Sequence, residues 1–154
     1  MQTFLPYKSF KLSLQSLDYR RLGKQRVEAY QVLNVLLGRT TTKGWINHPI
    51  TRMWKGYENA LKMYLNECID EWVSRGYNNN MSKEVIDGDI VYPHWLGNDL
   101  FHSSHRANLL RKDKEFYSKY MWVENSSDPY CWYDTDKQEW YKQHVGTGKR
   151  EYVL

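Results

Sequence analysis

Arg20, Arg21, Lys24, Arg26 and Glu28 stand together in Leu17-Asp-Tyr-Arg-Arg-Leu-Gly-Lys-Gln-Arg-Val-Glu28 and are the residues best placed for chemistry. Arg21, Lys24 and Glu28 are separated by three, four and seven positions, so a helix brings them to one side. Leu22, Ala29, Leu33 and Leu36 fall on another side and make an apolar stripe. A lone carboxylate then lies in a cationic patch at the edge of a buried face. Basic side chains neutralise phosphates, which a carboxylate repels. An acid kept there can hold an attacking water or amine, stabilise positive charge growing on a sugar, or protonate a leaving group. The alternative is a solvated charged face in which Glu28 pairs with Lys24, for about 0.2–0.5 kcal/mol.

Arg106 extends the basic set. It lies one helical turn before Leu110, at a core edge, where a half-buried guanidinium requires an acid or a phosphate. The net charge of +4 is consistent with a polyanionic partner. Thirteen Tyr and seven Trp in 154 residues are too many for the core alone, so some are expected at the surface, where aromatics stack on unpaired bases. Cleavage of a base–sugar bond develops oxocarbenium character, which one carboxylate can stabilise. Competing chemistries lack their residues. His94, His102 and His105 have no Cys partners and no His-Glu-x-x-His pattern, so neither a metal nor a cofactor is expected. No Gly-x-Ser-x-Gly elbow occurs, and Gly146-Thr-Gly-Lys149 lacks the spacing of a phosphate loop. Cys68 reads as a small buried residue, and the absence of a disulfide framework points to a reducing compartment, the cytoplasm. No signal peptide is visible, and no apolar run is long enough to span a membrane.

The elements that must position these residues are mostly helical. Pro6 makes residues 1–10 extended, with Phe4, Leu5 and Phe10 buried. Ser9 or Ser13 caps a short turn through Leu17. A long helix covers about residues 18–37 and stops at Gly38; Gly23 within it suggests a close approach. Residues 39–45 form a polar loop. Pro49 starts a second helix carrying Met53, Tyr57, Leu61, Tyr64, Cys68 and Trp72 inward and ending at Gly76, with an irregularity at Lys55 and Gly56. Residues 77–88 are loop, residues 89–91 a short extended piece and residues 94–98 a turn. Ser103 or Ser104 caps a third helix whose apolar face is Leu109, Leu110, Phe116, Tyr117 and Tyr120. Beyond Trp122 periodicity is weak, and residues 146–150 read as flexible. The expected fold is mainly α: a compact single domain of three principal helices with the extended N-terminal segment packed among them. Residues 1–121 form the helical domain, and residues 122–154 an aromatic-rich extension on or beside it.

Leu17-Asp-x-Arg-Arg-Leu…Glu28 resembles the first helix of the phage pyrimidine-dimer DNA glycosylases of the endonuclease V type. Asp70-Glu-Trp-Val-Ser-Arg-Gly-Tyr77 resembles the close of that family's second helix, Tyr92-Pro-His94 its Ile-Pro-His element, and Phe116-Tyr-Ser-Lys-Tyr120 its aromatic–basic segment. Order and spacing agree over residues 1–120. Residues 21–29 with 104–113 look closer still to a bacterial and phage branch grouped with these enzymes. The resemblance implies a helical domain that sets its own N-terminal amine beside a catalytic Glu. The amine attacks C1′ of the damaged nucleotide, the base leaves, a Schiff base forms, and elimination nicks the strand. Carried over, Glu28 is the catalytic carboxylate and Met1 supplies the amine. Arg20, Arg21, Lys24, Gln25, Arg26, His94, His105, Arg106, Arg111 and Lys112 make DNA and substrate contacts. The implied partner is double-stranded DNA with a damaged or modified base, bound by a monomer in a bacterial or phage-infected cell.

One departure stands out. The family enzymes begin Met-Thr and lose the Met. Here residue 2 is Gln2, whose bulk opposes Met removal and which can cyclise if Met1 is lost. The nucleophile is then the Met1 amine, one residue further out, or water, which gives a glycosylase without lyase action. Lys8 or Lys24 is a weaker substitute that needs a depressed pKa. Two other classes remain open on the same scaffold: a non-catalytic nucleic-acid binder that uses its C-terminal aromatics, and an N-glycosidase of free nucleosides or nucleotides.

Overall fold

The structure, a computed structural model, describes residues 1–41 and 44–153. Thr42 and Lys43, within the expected polar loop, and Leu154, at the end of the expected C-terminal extension, lie outside the described residues. The described residues contain six α-helices: α1 (Phe10–Ser16), α2 (Tyr19–Leu36), α3 (Pro49–Trp54), α4 (Glu58–Ser74), α5 (Asp99–Lys112) and α6 (Lys114–Tyr117). A 3-10 turn (Ser118–Tyr120) follows, then strands β1 (Tyr130–Asp134), β2 (Glu139–Gln143) and β3 (Arg150–Val153). The mainly helical class holds. The count of three principal helices does not, and a small antiparallel sheet joins them. None of the described helices is long and apolar enough to cross a membrane. By packing, the chain forms two compact units: Met1–Phe4 with Ser9–His94, and Leu5–Lys8 with Trp95–Leu154.

In the first unit, Ser9 caps α1 by accepting from the Leu12 amide, and Asp18 caps α2 by accepting from the Arg21 amide. Leu22, Ala29, Val32 and Leu33 of α2 are fully buried, as are Ala60, Leu61, Tyr64, Leu65 and Cys68 of α4; the two helices pack together. Gly23 is the close approach: a Cβ there would lie 2.9 Å from the Trp72 ring. The expected second helix is two. Pro49 opens α3 with His48 as its cap, and Gly56, at φ +89, breaks the run before α4. Residues 77–94 have no regular structure and are tied down by side chains. Arg39 makes a bidentate pair with Glu84, and Asn66 bonds Glu84 through both of its backbone groups.

In the second unit, α5 is capped by Asn98, whose side chain accepts from the Phe101 amide, five to six residues before the expected Ser103 or Ser104 cap. Both serines lie inside the helix. Ser104 donates to the Phe101 carbonyl and Ser103 to Glu124. The expected continuation through Tyr120 stops at Asp113, whose φ of −153 is not helical and whose carboxylate caps α6. Residues 130–153 form a sheet in the order β1-β2-β3, with Trp132 opposite Tyr141 and Tyr141 opposite Tyr152. The segment expected to be flexible, residues 146–150, turns β2 into β3. It is closed by hydrogen bonds from His144 to Lys149 and from Gly148 to His144.

Gly23→Ala gains helix propensity but drives a methyl group into an indole held by its hydrogen bond to Asn78. We expect a net loss of about 1–2 kcal/mol in urea unfolding; a variant as stable as wild type would mean that Trp72 moves aside freely.

Candidate functional site

In the first unit the chain start is threaded against α2, α3 and α4. Gln25 carries most of this work. Its Oε1 accepts from the Phe4 amide at 2.8 Å, and its Nε2 donates to the Gln2 carbonyl at 2.8 Å. The Tyr64 hydroxyl lies 2.8 Å from the Phe4 carbonyl and 2.9 Å from Gln25 Oε1. Trp54 Nε1 donates to Thr3 Oγ1. One turn beyond Gln25, Glu28 Oε2 accepts from the residue 2 backbone nitrogen at 3.1 Å. Glu28 Oε1 is 3.8 Å from Lys24 Nζ, and the carboxylate side chain is 14% exposed against 74% for Lys24. A carboxylate thus reaches the surface beside the second residue of the chain, with Lys24 next to it. The Gln2 side chain turns back to accept from the Thr3 amide, while its Nε2 is buried with no hydrogen-bond partner.

The remaining cations of this unit divide by exposure. Arg20 and Lys24 are exposed. Arg21 pairs with the capping Asp18 at 3.3 Å. Arg26 is half-buried, lying over the Trp72 ring and donating to Asn79. Gln25, expected to touch substrate, is 1% exposed and is used in holding the chain start. His94 is exposed, its ring 6.3 Å from that of Tyr57.

The second unit holds the next stretch of the same segment. The Leu5 amide donates to His105 Nδ1 at 2.9 Å, and His102 Nδ1 donates to the Leu5 carbonyl at 2.8 Å. His102 Nε2 accepts from the Gly97 amide, so His102 is the neutral Nδ1–H tautomer. Arg106 finds the acid that its half-buried position requires. Its Nε and Nη2 grip Glu124 at 3.1 and 3.0 Å, and Nη1 donates to the Pro6 carbonyl at 2.7 Å. Arg106 holds the Glu124 carboxyl below its usual range, against the opposing effect of burial. Arg111 donates to the carbonyls of Ser126 and Asp128 and lies over the Tyr130 ring. Lys112 is exposed. His105 is 0% exposed, so a duplex at the surface does not reach it.

Glu124, Tyr64, Trp54 and Thr3 were not picked out as functional from sequence. Tyr64 had the signal of a core residue, and only the half-buried Arg106 pointed to an unnamed acid. Of the C-terminal aromatics, one alternative contact surface, Trp132 and Tyr141 are buried, while Trp122, Tyr130, Tyr133 and Trp140 are half-buried. Cys68 and Cys131 are buried and free. Among the described residues no three His, Cys, Asp or Glu side chains converge as metal ligands.

These residues fall within a recognisable family. The chain matches the family model described as pyrimidine dimer DNA glycosylase over residues 1–85, more than half of its 154 residues, and it belongs to that family. The match takes in α1 to α4 with Glu28 and ends short of α5. No curated protein and no solved structure matches the chain.

Burial pushes the His105 pKa down to about 3, with the neighbouring His102 and the Arg106 charge adding to the effect. Burial also lowers that of His102. The unfolded chain takes up a proton near pH 6.5 that folded His105 refuses until about pH 3. Stability contributed by the neutral ring is therefore intact above pH 6.5 and falls as pH drops towards 3, by up to about 1.4 kcal/mol per pH unit for this one group. His105→Gln keeps an acceptor for the Leu5 amide and removes the titration. Denaturant unfolding from pH 7 to 4 should give a shallower pH slope for the variant, and equal slopes would refute the assignment.

Proposed function

We propose that this chain is a DNA glycosylase that cleaves the N-glycosidic bond of a damaged or modified base, with Glu28 as its catalytic carboxylate. The observation that carries the reading is the 3.1 Å contact between Glu28 Oε2 and the backbone nitrogen of residue 2, at a partly open surface flanked by Lys24. Membership of a glycosylase family supplies the class of reaction and of substrate. A carboxylate of this kind stabilises positive charge at C1′ as the base departs. A nucleophile then bonds to C1′, the C1′–N bond breaks, and its electron pair leaves with the base.

The nucleophile depends on Met1. With Met1 in place, the nitrogen at Glu28 belongs to an amide, whose lone pair is delocalised and not nucleophilic. Attack then falls to the Met1 amine or to a water held by Glu28. With Met1 removed, the same nitrogen becomes a primary amine in contact with a base that can take its proton. The amine then adds to C1′, the sugar ring opens to a Schiff base, and lyase action becomes available. The water route ends at an abasic site.

Exposed Arg20 and Lys24, with Arg21 beside them, are assigned to DNA phosphates, and exposed His94 and Lys112 stay candidates for the same role. Gln25, Arg26, His105, Arg106 and Arg111 serve the fold through the partners given above. The target is double-stranded DNA.

Glu28→Gln keeps an acceptor for the residue 2 amide and removes the charge. We expect base release to fall by at least about 100-fold, with affinity for the damaged duplex unchanged or raised by the loss of a negative group. Loss of folding in step with activity would make Glu28 a structural residue. The nucleophile is read by incubating the protein with ultraviolet-irradiated and base-modified duplexes under borohydride, with mass spectrometry of the N-terminus. A covalent adduct on a preparation lacking Met1 establishes the amine route. Base release without an adduct establishes water. Neither release nor adduct on any duplex rejects the glycosylase.

A further inference from the structure

A row of flat groups crosses the N-terminal end of α2. The Arg20 guanidinium lies 5.7 Å from the Tyr19 ring centroid and its Nε donates to the Tyr19 hydroxyl. The Tyr19 ring is 6.2 Å from that of Tyr77 at an interplanar angle of 32°. Tyr77 stacks on Trp72 at 4.4 Å and 30°, and Arg26 lies 4.8 Å from the Trp72 ring centre. The inner end is explained by folding. Trp72 fills the space left at Gly23 and is fixed by its hydrogen bond to the Asn78 carbonyl. The outer end is not. Asp18 caps α2 whatever residue follows it, yet Tyr19 remains 50% exposed and Tyr77 40% exposed. Large aromatic surface left open in a rigid row, with exposed cations at Arg20 and Lys24 on the same helix, is a binding feature more than a packing one.

We propose that Tyr19 and Tyr77, backed by Trp72 and flanked by Arg20, form a stacking platform for an unpaired nucleobase of the DNA strand. The inference rests on the reading of the chain as a DNA enzyme and names a second contact for the same substrate. Every base offers a π face, so the platform selects for an unpaired base and not for sequence, while Arg20 and Lys24 complement the flanking phosphates. The rows on either side of Tyr19 differ in role: Arg26 and Trp72 hold the stack, and Tyr19 presents it.

The test compares wild type, Tyr19→Ala and Tyr19→Trp on two duplexes of one sequence. In one, 2-aminopurine faces an abasic site; in the other it is fully paired. Wild type should quench the unpaired aminopurine. Tyr19→Ala should lose about tenfold in affinity for that duplex and less than about twofold for the paired one, and Tyr19→Trp should restore both quenching and affinity. Unchanged binding in Tyr19→Ala, or an equal loss on both duplexes, overturns the platform. Base excision is assayed separately. Excision with no effect of Tyr19 rejects the platform alone, a working platform without excision rejects the proposed activity alone, and no binding of either duplex by wild type rejects the platform together with the assignment of DNA as substrate.

Discussion

The structure depends on a constraint of the chain start: an extended, buried backbone with no partner strand. Buried amides must be bonded, and a segment outside any sheet has no ladder to supply partners. Here side chains do so in succession. The amides of residues 2, 3, 4 and 5 donate in turn to Glu28, the Gln2 side chain, Gln25 and His105. Residue 6 is Pro, with no N–H to satisfy, and its carbonyl takes Arg106. Much of the polarity buried in both units follows from this. Gln25 and Tyr64 in one unit, and His102, His105 and Arg106 in the other, are polar because they stand in for a neighbouring strand. Each unpaired buried amide would otherwise cost about 1–3 kcal/mol.

That constraint explains where the sequence was legible and where it was not. Signals that act within a few residues were readable. Asp18 as a cap, Pro49 as a first helical residue, the glycine stops at Gly38 and Gly76 and the close approach at Gly23 each rest on local sterics or a local hydrogen bond. Interruptions were harder. The irregularity at Lys55 and Gly56 was readable, but not that it divides the run into two helices, because the apolar spacing continues through the break; and Asn98 opens α5 several residues before the serines that carry the more familiar cap signal. The sheet was missed because Trp132-Tyr133 and Trp140-Tyr141 place aromatics on both faces of short strands, which erases the alternation that marks a strand.

The candidate site was legible in its charges and not in its partners. The carboxylate at Glu28 and the guanidinium at Arg106 both stood out because a charge at the edge of a buried face needs an explanation. Which group supplies it, the Gln2 amide in one case and Glu124 in the other, depends on pairs far apart in sequence. Gln25 and His105 were drawn towards the substrate for the same reason. A polar residue on an inward-facing helical position looks like a ligand group until the strand-like segment that it serves is known.

Position 2 is one of several places among the described residues where the polar accounting does not close, and the one that bears on what Glu28 is for. A neutral acceptor is enough for a buried amide, as Gln25 demonstrates at Phe4. The residue 2 amide has a carboxylate instead, while Gln2 Nε2 lies buried without a partner. A fold selected only for stability would reverse those choices: an amide side chain at position 28 and an apolar one at position 2. The Glu28 contact with Lys24 does not restore the balance, since at 3.8 Å and with the lysine 74% exposed it is worth little. An anion held where a neutral group would serve, next to an orphaned donor, is the local inconsistency expected where structure gives way to function. It favours a Glu28 retained for a charge that develops on a bound substrate over one retained for the amide it happens to accept from.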